Sequence, residues 1–146
     1  MNQEVFEVKD VGEFLTVWPL FNEGFNAIAA QGCIKPMTES RQMSYMLNTI
    51  NRPPEERYVA VMESDKRQTA CGVAVVFDGE PWVFMAYARP GTPNGVCPLL
   101  ESAKTWAKMN NHTRLVARSE QLSASSGRLF QSWGFKPAAI EYRMEF

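Results

Sequence analysis

The spacing of apolar positions changes several times along this chain, and each change marks an element. Residues 3–8, QEVFEV, alternate polar and apolar, the period-two signature of a strand. From Val11 the period lengthens: Val11, Phe14, Leu15, Trp18, Phe21, Phe25 and Ile28 share one helical face. Asp10 stands at the N-cap with Glu13 three residues on, a capping-box pattern. Pro19 has no amide hydrogen and crowds the preceding turn, so a helix–break–helix ending near Gly32 is predicted. Residues 33–38 read as a loop. A second helix over 40–50, capped by Thr38 or Ser40, puts Met43, Met46, Leu47 and Ile50 on its apolar face. Asn51 and the Pro53–Pro54 pair end it.

Three strand-like runs follow at 57–64, 69–77 and 81–89, separated by a polar turn at 64–68 and the hairpin signal Asp78–Gly79. They predict an antiparallel meander. Beyond the loop RPGTPNG, Leu99, Leu100, Ala103, Trp106 and Ala107 form the buried stripe of a helix that Pro98 opens and Asn110–Asn111 closes. A strand at 113–119, a short helix within SASSGRLFQSWGFKP (123–137) and a closing strand at 138–146 complete the order β-αα-βββ-α-β-α-β. In that last helix Leu129, Phe130 and Trp133 share a face, and Gly134 sits where a C-cap needs a left-handed residue. The order predicts an α/β (α+β) fold in a single domain, 1–146: a mixed, mostly antiparallel sheet with helices on both faces.

Composition narrows the function classes. The 146 residues are 45% hydrophobic and 21% charged, with a net charge of −1, as in an ordinary globular domain. The basic residues are scattered, which argues against nucleic-acid binding. Cys33, Cys71 and Cys97 lack zinc spacing and read as free thiols of a reducing compartment. Neither a signal peptide nor a membrane-spanning run is apparent, so a cytoplasmic protein is expected.

The candidate chemistry begins where the strand 81–89 runs through RPGTPNGVCPLL into a helix. A strand–glycine loop–helix unit presents bare backbone N–H groups at a helix N-terminus, which suits a phosphate. Gly91 and Gly95 allow close approach of the backbone. The plainer alternative is a tight turn without a ligand.

The element order, this loop and the segment SASSGRLFQSWGFKP together resemble the GNAT superfamily of acyl-CoA-dependent N-acyltransferases. The resemblance covers the whole chain in topology, and in specific residues 85–100 and 119–137. It implies acetyl-CoA or a related acyl-CoA as cosubstrate and transfer of the acyl group to a small-molecule or peptide amine. It implies neither nucleic acid nor membrane, and a homodimer stays open.

The family's pyrophosphate loop, Q/R-x-x-G-x-G/A, falls on Thr92, Pro93, Asn94, Gly95, Val96 and Cys97. Gly95 takes the first glycine and Cys97 the second small position. Thr92 stands where Gln or Arg is usual, and Arg89 lies three residues earlier. Ala86, Tyr87 and Ala88 fall where the family's strand pairs with the pantetheine arm. On the last helix Ser123 replaces the usual Asn, and Phe130 replaces the Tyr that serves many members as general acid.

Substitutes are at hand. Tyr87 is a candidate acid and Glu120 a candidate base, each with a plainer alternative: a packing aromatic and a solvated loop carboxylate. Glu13, Glu23 and Glu39 are available to meet a cationic amine. The replacements Thr92, Ser123 and Phe130 also support a second reading, a catalytically degenerate GNAT-like domain with a CoA-binding or structural, protein-interaction role. Small GNAT-like proteins encoded by phages are one setting for such departures.

Overall fold

The alternating QEVFE forms an edge strand, β1 (Gln3–Glu7), in a computed structural model that describes residues 2–31, 35–117, 130–138, 142, 144 and 146. Asp10 then caps α1 (Val11–Ala30) by accepting the Glu13 N–H at 2.8 Å. The Glu13 carboxylate reaches back to the Lys9 N–H at 3.0 Å, one residue before the cap.

α1 runs unbroken through Pro19, which corrects the predicted break. Pro19 lies on the exposed side. Leu15, whose carbonyl loses the Pro19 partner, is 54% exposed, so that turn faces solvent. The opposite side, with Phe14, Val17, Leu20, Phe21 and Phe25, is buried and holds the helix on the sheet.

Thr38 caps α2 (Glu39–Ile50), accepting the Arg41 N–H at 3.2 Å. Gln42 is buried between the two helices, which its amide links. It accepts from Asn22 Nδ2 at 2.8 Å and donates to Asn26 Oδ1 at 2.8 Å and to the Met37 carbonyl at 3.1 Å. A 3-10 turn, Pro54–Glu56, leads into the meander β2 (Arg57–Ser64), β3 (Arg67–Phe77) and β4 (Glu80–Ala88). Both hairpins use two-residue loops with positive φ at each position, Asp65–Lys66 and Asp78–Gly79. The tighter first turn starts β3 at Arg67, two residues before the predicted Thr69.

α3 (Cys97–Met109) ends in a Schellman motif: the His112 N–H bonds the Ala107 carbonyl at 2.9 Å and the Asn111 N–H bonds Lys108 at 3.1 Å. Asn111 takes the left-handed position at φ +65°. His112 therefore closes a helix, with its ring against Trp106.

β5 (Val116–Ala117) completes one sheet in the order β1-β2-β3-β4-β5, antiparallel throughout except for the parallel β4–β5 pair. α1 and α2 cover one face over Val59, Val61, Cys71, Val73 and Met85. α3 covers the other over Tyr58, Ala60, Met62, Ala70 and Ala74.

Near the C-terminus a helical turn at 130–132 closes on Gly134, at φ +91°, as the sequence predicts. The Phe135 N–H reaches the Phe130 carbonyl at 3.1 Å and the Gly134 N–H reaches Gln131 at 3.0 Å, a second Schellman motif. The rest of that predicted helix lies outside the described residues, as does most of the closing strand.

Candidate functional site

β4 carries the candidate site, which begins where its described pairing with β5 stops. Among the described residues its pairing with β5 covers Trp82↔Val116 and Val83↔Ala117. The β3–β4 register slips at the next residue: Val73 pairs with Met85 and Ala74 with Val83, leaving Phe84 as a bulge. A bulge adds twist locally, and it falls at the last described β4–β5 pair. On the side away from β3, no partner strand lies beside residues 84–88 among the described residues.

Ladder alternation shows which groups that edge presents. The Arg89 N–H donates to the Thr69 carbonyl at 2.8 Å, and Thr69 lies opposite Arg89 in register. Bonded and non-bonded pairs alternate in an antiparallel ladder. Tyr87 therefore bonds Cys71, while Ala86 and Ala88 turn their N–H and C=O groups to the open side. A crevice of about 20 Å³ between this edge and α3 is lined by Gly72, Met85, Ala86 and Leu99.

The glycine loop follows directly. Asn94 and Gly95 both take left-handed backbone, φ +63° and +53°. Turn bonds engage the N–H groups of Thr92, Gly95 and Cys97. Those of Asn94, Val96 and Leu99 meet no protein acceptor among the described residues. They cluster at the start of α3, whose first turn holds no acidic residue. A Cβ built on Gly95 meets nothing within 4 Å, so the backbone is open to approach. Gln3 of β1 braces the loop from its other side, donating to the Pro93 carbonyl at 2.8 Å and accepting from Asn94 Nδ2 at 3.4 Å. Thr92 Oγ1 donates to the Thr69 carbonyl at 3.4 Å. Cys97 is half-buried with a free thiol, and Cys71 is fully buried. This arrangement has the donors and the open backbone that a pyrophosphate requires.

On the α1 face of β4 a polar cluster forms. The Tyr87 hydroxyl donates to Glu23 Oε2 at 2.7 Å. Arg89 grips the same carboxylate with Nε to Oε2 at 2.9 Å and a terminal nitrogen to Oε1 at 3.1 Å. Its remaining terminal nitrogen donates to the Gln68 carbonyl at 2.9 Å. The hydrogen bonds from Arg89 and then Tyr87 hold the Glu23 carboxyl below its ordinary range. Burial first, and then the bond to Glu23, push the Tyr87 phenol up to about 12. Burial also raises the neighbouring Cys71 thiol. Gly24 lets α1 come this close, because a Cβ there would sit 3.1 Å from Tyr87 Cβ.

No protein-family model matches the chain, and no curated protein matches it. Solved structures do. The aminoglycoside N-acetyltransferase AAC(6')-Iy, solved with a bisubstrate analogue of CoA, matches at TM-score 0.74 and 9% identity over 100% of both chains. A predicted acetyltransferase from Clostridium acetobutylicum, solved with acetyl-CoA, matches at TM-score 0.74 and 12% identity over 99% of this chain and 96% of that one. The aminoglycoside 6'-N-acetyltransferase AAC(6')-Ih from Acinetobacter baumannii matches at TM-score 0.70 and 14% identity over 99% of each chain.

The chain has the GNAT fold.

On the GNAT fold the sequence-selected residues separate into groups. Ala86, Tyr87 and Ala88 lie together on the free part of β4, and Thr92 to Cys97 form the loop at the head of α3. Arg89 is bound to Glu23 and Gln68 instead of the loop amides. Phe130 packs edge-on against Trp133 and Phe135, at 5.6 Å from each. Glu120 and Ser123 lie outside the described residues.

Among the three acids singled out, Glu13 is engaged at the α1 cap and Glu39 accepts from Trp18 Nε1 at 3.4 Å, which leaves Glu23 as the one joined to β4. Gln3 is a residue that sequence reasoning missed, and nothing local marks it, since its partners are 90 and 91 residues away. No group of three or more metal-ligating side chains is present among the described residues, and none of the described helices is long and apolar enough to cross a membrane.

Proposed function

We propose that this protein is an acyl-CoA-dependent N-acyltransferase, with acetyl-CoA the expected acyl donor. The observation that carries this reading is the coincidence, among the described residues, of an unpaired β4 edge beside a bulge with three N–H groups without a protein acceptor at the next helix start. The amides of Asn94, Val96 and Leu99 hold the pyrophosphate, and the outward backbone groups of Ala86 and Ala88 hold the pantetheine arm as an added strand. Acyl-CoA supplies the acyl group as a thioester.

The protein's own groups handle protons and position. Tyr87 keeps its phenolic proton at neutral pH and is the candidate acid, while Glu23, ionised and fixed by Arg89, is the candidate acceptor for the amine's N–H. Glu120 remains a second candidate base on sequence grounds. Holding both reactants in line supplies much of the acceleration.

A calorimetric titration with acetyl-CoA tests the reading. Micromolar affinity that is lost in Gly95→Asp supports it, because a carboxylate there faces the pyrophosphate. No binding at millimolar ligand overturns it.

One observation favours a second reading, a catalytically inert CoA-binding or protein-interaction domain. Phe130 has a structural task, closing an aromatic trio, and has no proton to give. Binding of acetyl-CoA without thiol release for any amine would select that reading.

A further inference from the structure

If the free edge of β4 takes the acyl donor, the acceptor must come from the face that α3 does not fill. On that face β4 presents Phe84 and Tyr87, and the surroundings of these two rings differ. Phe84, the bulge residue, is 37% exposed and stacks on Tyr45 of α2 at 4.3 Å, with Phe25 of α1 edge-on to Tyr45 behind it. The wall is aromatic, and burial pushes the Tyr45 phenol up to about 12, so it carries no charge.

Tyr87 leads to the polar end. The Glu23 carboxylate already accepts from Tyr87 once and from Arg89 twice. A carboxylate offers about four lone-pair sites, so one is left for an incoming N–H. Elsewhere in 11–50 the acids are Glu13 and Glu39, both engaged, and the bases are Lys35 and Arg41. The undescribed residues add Glu120, Glu141 and Glu145 and three arginines, at 118, 128 and 143. Several free carboxylates would be needed to bind a polycation, and the described residues of this face do not offer them.

We infer that the acceptor is a small monoamine carried on an apolar, preferably aromatic body: the ring lies on Phe84 and Tyr45, and the nitrogen meets the last free site of Glu23. Tyr87 lies three residues beyond Phe84, at most roughly 10 Å at about 3.3 Å per residue, a span that fits a ring and a short alkyl arm. This distinguishes the chain from its aminoglycoside-acetylating structural neighbours. The inference rests on the acyl-CoA reading above.

The test follows thiol release from acetyl-CoA with phenethylamine, neamine and spermidine, alongside an acetyl-CoA titration of the same preparation. The expected result is a kcat/KM for phenethylamine at least tenfold above those for neamine and spermidine. Phe84→Ala, or Phe84→Leu if the first variant does not fold, should raise the KM for phenethylamine at least fivefold with acetyl-CoA affinity kept. Glu23→Gln should lower kcat/KM at least tenfold. Equal or faster turnover of neamine or spermidine overturns the inference, as does acetyl-CoA binding with no release from phenethylamine. Absence of acetyl-CoA binding overturns the reading beneath it, which separates the two failures.

Discussion

The Tyr87 hydroxyl donates to the Glu23 carboxylate at 2.7 Å, joining the free end of β4 to the middle of α1. The bond fixes the direction of a phenol whose proton is retained at neutral pH. If Tyr87 is the acid, Tyr87→Phe lowers kcat by about 10²-fold with little change in KM for either substrate. Steady-state kinetics on a folded variant, checked by circular dichroism, reads this out.

The same cluster makes stability depend on pH at both extremes. Glu23 has a depressed carboxyl, so the stability it contributes is present above the unfolded value near 4.5 and lost as pH falls. Tyr87 has a raised phenol, so its contribution is present below 10.0 and lost as pH rises toward about 12. Both groups are partly exposed, so each effect is small. Chemical denaturation across pH should show Glu23→Gln flattening the acid limb and Tyr87→Phe the alkaline limb.

Gly24→Ala sets two effects against each other. Alanine gains about 1 kcal/mol of helix propensity over glycine. Its Cβ would lie 3.1 Å from Tyr87 Cβ, an atom tied closely to the backbone and slow to yield. Overpacking wins: the variant should lose about 1–2 kcal/mol. Combining it with Tyr87→Ala should recover part of that loss, a non-additivity that a double-mutant cycle measures.

Gln42→Leu removes three hydrogen bonds from a buried position and leaves Asn22, Asn26 and the Met37 carbonyl without this partner. The expected cost is about 2–3 kcal/mol in urea denaturation, with an unchanged m-value.

These residues also show how far the sequence could be read. Periodicity located the helices and the meander, because each element buries one face and its apolar spacing records that. Turn chemistry located Asp78–Gly79, Asn111 and Gly134, because left-handed backbone favours few residue types. Pro19 misled, since a local rule ignores the burial of Phe14, Phe21 and Phe25, which keeps α1 continuous across it. At the candidate site, the loop 92–97 and the strand end 86–88 are contiguous in sequence, so a local motif could single them out. The Glu23–Tyr87–Arg89 cluster and the Gln3 brace were not, because they join residues 64 to 91 positions apart through tertiary packing.

The central claim is that the acyl donor lies along the β4 edge with its phosphates at the start of α3. Amide NMR during titration of the full chain with CoA tests this most directly. The account predicts that the amides of Asn94, Val96, Leu99, Ala86 and Ala88 shift first and furthest. Shifts confined to the groove between α3 and residues 133–135, about 210 Å³ and bordered by Lys104, Lys108 and His112, with the loop amides unmoved, would contradict it.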